Sequence, residues 1–132
     1  MNFMDRDRLF PHDTVVGVID DTASLDNALE VLFSGFGQED VHVLCGPTGL
    51  RRIDPHSEHK DELGRIFRLV DDLDRQPEPM RRHVQELRDG HFLVVVGVST
   101  AEEVRRAKDA LLEHDGHFLN HYTRWTTTQL AA

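Results

Sequence analysis

Histidine is the residue type with the most chemistry to offer in this chain, since nine copies occur among 132 residues. Neutral imidazole binds zinc and other transition metals, and it also serves as a general acid or base. Four copies fall in or beside segments with strand-like patterns, namely His42, His91, His117 and His121. The last two are four residues apart and are predicted to share a face, but at roughly 13 Å along a strand they cannot chelate one ion together.

Histidines on neighbouring strands can meet, because paired strands are only about 4.8 Å apart. His117 is therefore expected beside His42 or His91 if these four residues form a site for a metal or a small molecule. The alternative is that they are amphipathic residues at strand ends, because cysteine and close carboxylate partners are lacking. The sequence does not identify a cofactor.

Two adjacent carboxylates, Asp20 and Asp21, follow the first predicted strand. Acidic strand ends hold magnesium in phosphoryl-transfer folds, but those sites need a third acidic strand end and a nearby lysine. The order of elements supplies neither, and capping of the next helix by one aspartate explains the pair at least as well.

No arrangement of residues predicts a catalytic site. Cys45 has no activating neighbour in the sequence, and on a strand it would face away from His42. His56 and His59 could approach one ion at a helix start, but a solvated helix entry accounts for them. The sequence leaves enzymatic activity open and favours a protein that is not an enzyme.

Tyr122 and Trp125 are the only residues of their types and lie together at the end of the last predicted strand. Large amphipathic side chains favour an interface or the rim of a pocket. Burial beneath the amino-terminal segment is the alternative.

The elements that must position these residues alternate between strand and helix patterns. Apolar residues predict strands at 14–19, 41–45, 92–98 and 117–122 and amphipathic helices at 25–36 and 100–112. A helical insertion at 51–89 separates the two βαβ units. The expected fold is α+β, a ferredoxin-like two-layer sandwich with a four-stranded antiparallel sheet. Residues 1–13 are predicted to be a flexible leader and residues 14–132 a single domain.

The tetrapeptide Asp-Gly-His-Phe occurs twice, at 89–92 and 115–118. Each copy is predicted to end a helix and to start a strand. Shared turn chemistry explains the repetition without a functional role.

The composition excludes several classes of partner. Asp and Glu outnumber Lys and Arg by 24 to 15, and the net charge of -9 repels nucleic acid and anionic membranes. The longest apolar run has seven residues, far below the ~20 that cross a bilayer. One cysteine and no signal peptide are consistent with a cytoplasmic protein.

The segment 92–98 is apolar at both alternating positions, which predicts a strand covered on both faces. Two crossover helices would cover only one face, so the inserted helices, a second copy or a ligand must cover the other. A homodimeric interaction module with Tyr122 and Trp125 near its contact is the favoured interpretation. A small-molecule or metal binder and an enzyme of dimeric-barrel type are the alternatives.

The first βαβ unit has an opening pattern formed by Val15 to Asp20, Ala28-Leu29, Gly35-Phe36 and Asp40 to Val43. In these residues it resembles a small bacterial domain of heat-induced general-stress proteins. This resemblance implies a stress-associated α+β module without an established active site.

Overall fold

A computed structural model describes residues 13–45, 78, 80–123 and 126–132. Within these ranges the chain forms three helices and five strands, with a short 3-10 helix before the second strand. The elements are β1 (Thr14–Ile19), α1 (Thr22–Gly35), the 3-10 helix (Gln38–Asp40), β2 (Val41–Cys45), α2 (Met80–Arg88), β3 (Phe92–Gly97), α3 (Ala101–Glu113), β4 (His117–Tyr122) and β5 (Thr127–Ala131).

The strands form one antiparallel sheet in the order β2-β3-β1-β4-β5. The α+β class and the antiparallel sheet are confirmed, but the prediction of four strands was wrong. The threonine-rich tail folds back as β5 because Thr123 and Thr126 close a turn, with Thr123 N–H donating to Thr126 O at 2.8 Å. Thr127 then pairs with Tyr122, and β-branched threonines suit the added edge strand.

One face of the sheet packs against α1 and α3, which contact each other. Asp21 caps α1 by accepting a hydrogen bond from Ser24 N–H at 2.8 Å, as the sequence predicted. Thr100 caps α3 in the same way through Glu103 N–H at 3.1 Å. This first face buries Val15, Ile19, Val41, Cys45, Phe92, Val94 and Val96 against Leu25, Ala28, Leu32, Ala107, Ala110 and Leu111. Cys45 is thus a buried thiol packed in this core.

The second face of the sheet lies against α2, the second inserted helix. Leu87 packs into a cluster formed by Val16, Val18, Leu93 and Val95, all of which are buried. Of the three coverings that the sequence allowed, the described residues show the inserted helix. Burial on both faces of β3 is therefore confirmed.

Several predictions fall on residues outside the described ranges. They include the leader up to residue 12, the part of the helical insertion before residue 78, His56, His59 and Trp125. Among the described residues, no helix combines the length and the apolarity needed to cross a bilayer.

Candidate metal centre

Asp20 lies between two histidines at one end of the sheet. β3 and β4 both run antiparallel to β1, so they begin where β1 ends. His117 Nε2 lies 2.8 Å from Asp20 Oδ1, and His91 Nδ1 lies 3.4 Å from the same oxygen. These histidines belong to the two copies of Asp-Gly-His-Phe. The repeat therefore does more than form turns, because it places one imidazole on each side of a single carboxylate.

The first copy ends α2 with a left-handed glycine. Gly90 has a φ of 91°, a conformation that side chains disfavour. Gly90 N–H donates to Leu87 O at 3.1 Å and His91 N–H donates to Glu86 O at 3.0 Å, which is the Schellman pattern. This turn brings His91 back over the last turn of the helix, next to Glu86.

The second copy reaches the same result with a different residue in the left-handed region. Asp115 has a φ of 64°, and Gly116 N–H donates to Leu111 O at 2.8 Å. A Cβ on Gly116 would lie 2.5 Å from that carbonyl oxygen. The two glycines are thus required for different reasons, the first for its backbone angle and the second for close approach to α3.

Glu86 brings a second carboxylate to the site from α2. Its Oε2 lies 2.5 Å from His91 Nδ1, and Arg82 Nε donates to its Oε1 at 3.0 Å. Burial alone would raise the pKa of Glu86, but the hydrogen bonds from His91 and Arg82 outweigh it and hold the pKa below its usual value. Glu86 is therefore a buried, ionised carboxylate.

Asp20, Glu86 and His91 each offer one ligand atom, and all three atoms lie within 4.8 Å of one another. Since metal–ligand bonds in proteins are about 2.0–2.2 Å long, these three atoms can reach one ion after small side-chain movements. His117 Nε2 lies beside Asp20 but outside this group of three, so it would have to move toward the ion to become a fourth ligand. Two imidazole nitrogens and two carboxylate oxygens form a ligand set suited to divalent transition metals.

A buried histidine anchors α2 behind this site. The Nε2 of His83 lies 3.0 Å from the Phe118 carbonyl, which can only accept, so Nε2 carries the hydrogen. His83 Nδ1 then accepts from the Tyr122 hydroxyl at 2.7 Å. Burial lowers the pKa of His83 to about 4, which keeps the ring neutral at physiological pH. Burial likewise raises the pKa of Tyr122, which keeps its hydroxyl protonated.

A β-bulge in β4 decides where His117 lies. Val16 pairs with Asn120 but Val18 pairs with His117, so β4 has one extra residue opposite Gly17. Phe118 adopts a φ of 46° within this bulge. As a result, His117 lies on the second face with Val18.

His121, by contrast, pairs with Val15 and shares the first face. The prediction that His117 and His121 share a face was wrong, because strict alternation along a strand fails across a bulge.

The other predicted site residues lie elsewhere. His42 is exposed, pairs with Val95 in mid-strand and has its Nε2 2.9 Å from Glu39 O. The Nε2 of His121 is buried without a hydrogen-bond partner among the described residues. Two of the four predicted histidines therefore converge and two do not. Tyr122 is buried within its own chain against His83, rather than exposed as an interface anchor.

Sequence reasoning missed Glu86 and His83 and set Asp20 aside. The second acid of the site, Glu86, comes from a helix and not from a strand end. Two features of the sequence indicate this site. Asp21 alone suffices to cap α1, which leaves the Asp20 side chain available for other contacts. The repeated tetrapeptide also places His91 and His117 at equivalent positions.

Comparison with known proteins gives no match for this chain, whether to a family model, to a curated protein or to a solved structure.

Proposed function

We propose that this chain is a binding protein for a divalent transition metal. The supporting observation is the convergence of His91 and His117 on Asp20, with Glu86 held against His91. The residues lie next to the start of β3, at the start of β4, just after β1 and on α2, so that four separate segments contribute to one site. Surface ion pairs contribute little to the stability of a folded protein, so stability alone does not explain why these side chains converge.

The types of ligand atom narrow the choice of ion. Imidazole nitrogens favour zinc, cobalt, manganese or iron over magnesium and calcium, which prefer oxygen ligands throughout. Arg82 holds the outer oxygen of Glu86 and would orient this ligand, as outer-shell partners do in metal sites.

Direct titration tests this proposal. Zn²⁺, Co²⁺ and Mn²⁺ are titrated calorimetrically into metal-free protein, with Mg²⁺ for contrast, and bound metal is counted by elemental analysis. We expect one ion per chain, and Asp20→Asn and His117→Gln should each weaken binding by about tenfold or more.

The matched controls are Asp21→Asn and His42→Gln. Asp21 caps a helix and asparagine caps equally well, while His42 lies in mid-strand on β2. Both should leave affinity nearly unchanged. Absence of stoichiometric metal, or equal losses in site and control variants, would contradict the proposal.

We also propose that the fold is ferredoxin-like with β5 added at one edge. The support is the order of its elements and the interior position of β1 and β3 within the sheet. The stress-associated role implied by the first βαβ unit remains a prediction.

A homodimeric interaction module is the second candidate function. The sequence argument for it was an uncovered apolar face, and α2 now lies on that face. Large apolar side chains are exposed on α1 and α3 instead, namely Val31, Phe33 and Leu112. They support a dimer in which two copies associate through these helices. Sedimentation over a hundredfold concentration range should show a rise in mass if the dimer forms.

A further inference from the structure

Arg82 is held in a fixed position beside the proposed metal. Its Nε donates to Glu86 Oε1 at 3.0 Å, and its guanidinium carbon lies 4.9 Å from the centre of the Phe118 ring. Stacking on an aromatic face and a charge-assisted hydrogen bond together restrict a side chain that would otherwise be mobile. The guanidinium is therefore preorganised although about half of the side chain is exposed.

The terminal nitrogens of Arg82 make no hydrogen bond to any described residue. The side chain is 51% exposed, so a ligand from solvent can reach the guanidinium. Only one carboxylate separates this guanidinium from the proposed metal, since Glu86 contacts Arg82 through Oε1 and His91 through Oε2. The Arg82 guanidinium and the proposed metal ion, both positively charged, would thus lie on either side of the Glu86 carboxylate.

An octahedral ion such as Mn²⁺ or Co²⁺ keeps at least two positions open when at most four side chains bind it. Such positions take water or an anionic ligand. Guanidinium groups recognise tetrahedral oxyanions through paired N–H donors. We propose that the bound ion and Arg82 together bind the phosphate group of a small molecule, an inference that rests on the proposed metal site.

The net charge of the chain further restricts the class of phosphate-containing ligand. A net charge of -9 repels a nucleic acid backbone, whereas one phosphate group can be neutralised locally by an ion and an arginine. A small phosphorylated molecule or free phosphate therefore fits better than a polynucleotide.

Arg81 provides a matched control on the same helix. It forms an ion pair with Glu78 through Nε at 2.7 Å, and both side chains are about half exposed. Among the described residues, Arg81 has no hydrogen bond or ion pair with the four proposed ligands. Arg81→Gln removes the same charge from α2 as Arg82→Gln does. A difference between the two variants therefore reports position and not net charge.

The experiment uses the full chain saturated with Co²⁺ and titrated with inorganic phosphate at constant ionic strength, with chloride as the anion control. The visible spectrum of Co²⁺ reports ligands that enter its coordination shell, and calorimetry gives the affinity. We expect phosphate to change the spectrum, and Arg82→Gln to weaken phosphate binding by about tenfold. Arg81→Gln should leave it nearly unchanged.

The outcomes separate the two proposals. A protein that binds no Co²⁺ contradicts the metal site and this inference together. A protein that binds Co²⁺ but gives no phosphate response contradicts only the phosphate site. Equal phosphate affinity in Arg82→Gln and wild type at saturating Co²⁺ overturns the role of Arg82. Glycerol phosphate and a short oligonucleotide then distinguish a small ligand from a polymer, and tighter binding of the oligonucleotide would contradict the inferred ligand class.

Discussion

His83 Nδ1 lies 2.7 Å from the hydroxyl oxygen of Tyr122, and this contact joins α2 to β4. Both groups are buried, so neither can exchange the bond for one to water without a change in structure. A nine-residue helix is marginal in isolation, which makes such anchors necessary. The hydrogen bond therefore helps to keep α2 on the sheet.

Tyr122→Phe should remove this anchor with little change in shape. The variant leaves His83 Nδ1 buried without its donor, and we expect a loss of about 1–3 kcal/mol in the free energy of unfolding. Urea denaturation followed by circular dichroism measures it. Ser34→Ala, which removes an exposed hydroxyl bonded to Val31 O, should cost much less. Equal losses in the two variants would show that the Tyr122 hydroxyl has no special role.

Acid should destabilise the protein through His83. The pKa of His83 is about 4 in the folded chain against 6.5 for an ordinary histidine, so the unfolded chain binds the proton first as pH falls. Stability should therefore decrease from about pH 6.5 to pH 4, by roughly 3 kcal/mol for this group alone. Glu86 acts in the same direction, because its lowered pKa makes the folded chain take up a proton later than the unfolded chain.

Comparison with His83→Gln isolates the histidine. Glutamine can still donate to the Phe118 carbonyl but does not titrate, so the variant should show a flatter dependence of unfolding free energy on pH. Chemical denaturation at half-unit steps of pH provides the measurement. Parallel curves for wild type and variant would contradict a neutral, buried His83.

Gly90→Ala should affect both stability and metal affinity. The left-handed backbone at this position costs a residue with a Cβ about 1–2 kcal/mol, and relaxation of the turn would move His91 away from Glu86. Gly97→Ala is the control, because a Cβ there meets its nearest atoms at ordinary distances of 3.5 Å or more. Calorimetric titration with Zn²⁺ should show weaker binding only for Gly90→Ala. Unchanged affinity in that variant would mean that the turn does not position His91.

Leu87→Ala and Leu32→Ala should separate docking of α2 from general stability. Both leucines are fully buried, on opposite faces of the sheet, and each truncation should cost about 2–5 kcal/mol. Only Leu87 lies on the helix that carries Glu86, so only its truncation should also weaken metal binding. Added Zn²⁺ should then raise the melting temperature less in Leu87→Ala than in Leu32→Ala. Equal metal effects would contradict the coupling.

Much of the fold could be predicted from local patterns. The strands around Val15 and Val94 follow from continuous apolar and β-branched runs, and the caps at Asp21 and Thr100 from hydrogen bonds within a few residues, both of which the sequence shows directly. β5 could not be predicted in this way, because its threonines become a strand only when β4 offers an edge for pairing.

The site was predictable only in part. His91 and His117 were found from their residue type and strand positions, but their shared contact with Asp20 depends on which strands lie beside β1. Glu86 was missed because a polar residue on a short helix normally faces water, and its burial follows from the docking of α2. No local pattern of charges shows that docking.

The bulge at Phe118 determines which face of the sheet carries the imidazole of His117. His117 and Tyr122 are separated by an odd number of steps, yet both lie on the side of the sheet that faces α2. If a β4 of the same length paired regularly, without the bulge, the imidazole would turn toward α1 and α3. Deletion of the one extra residue would instead remove the bulge and keep the imidazole on the side of α2. The proposed metal site would therefore depend on the register of β4 as much as on which residues are present, and a relative that retained every ligand but not the bulge could lack the site.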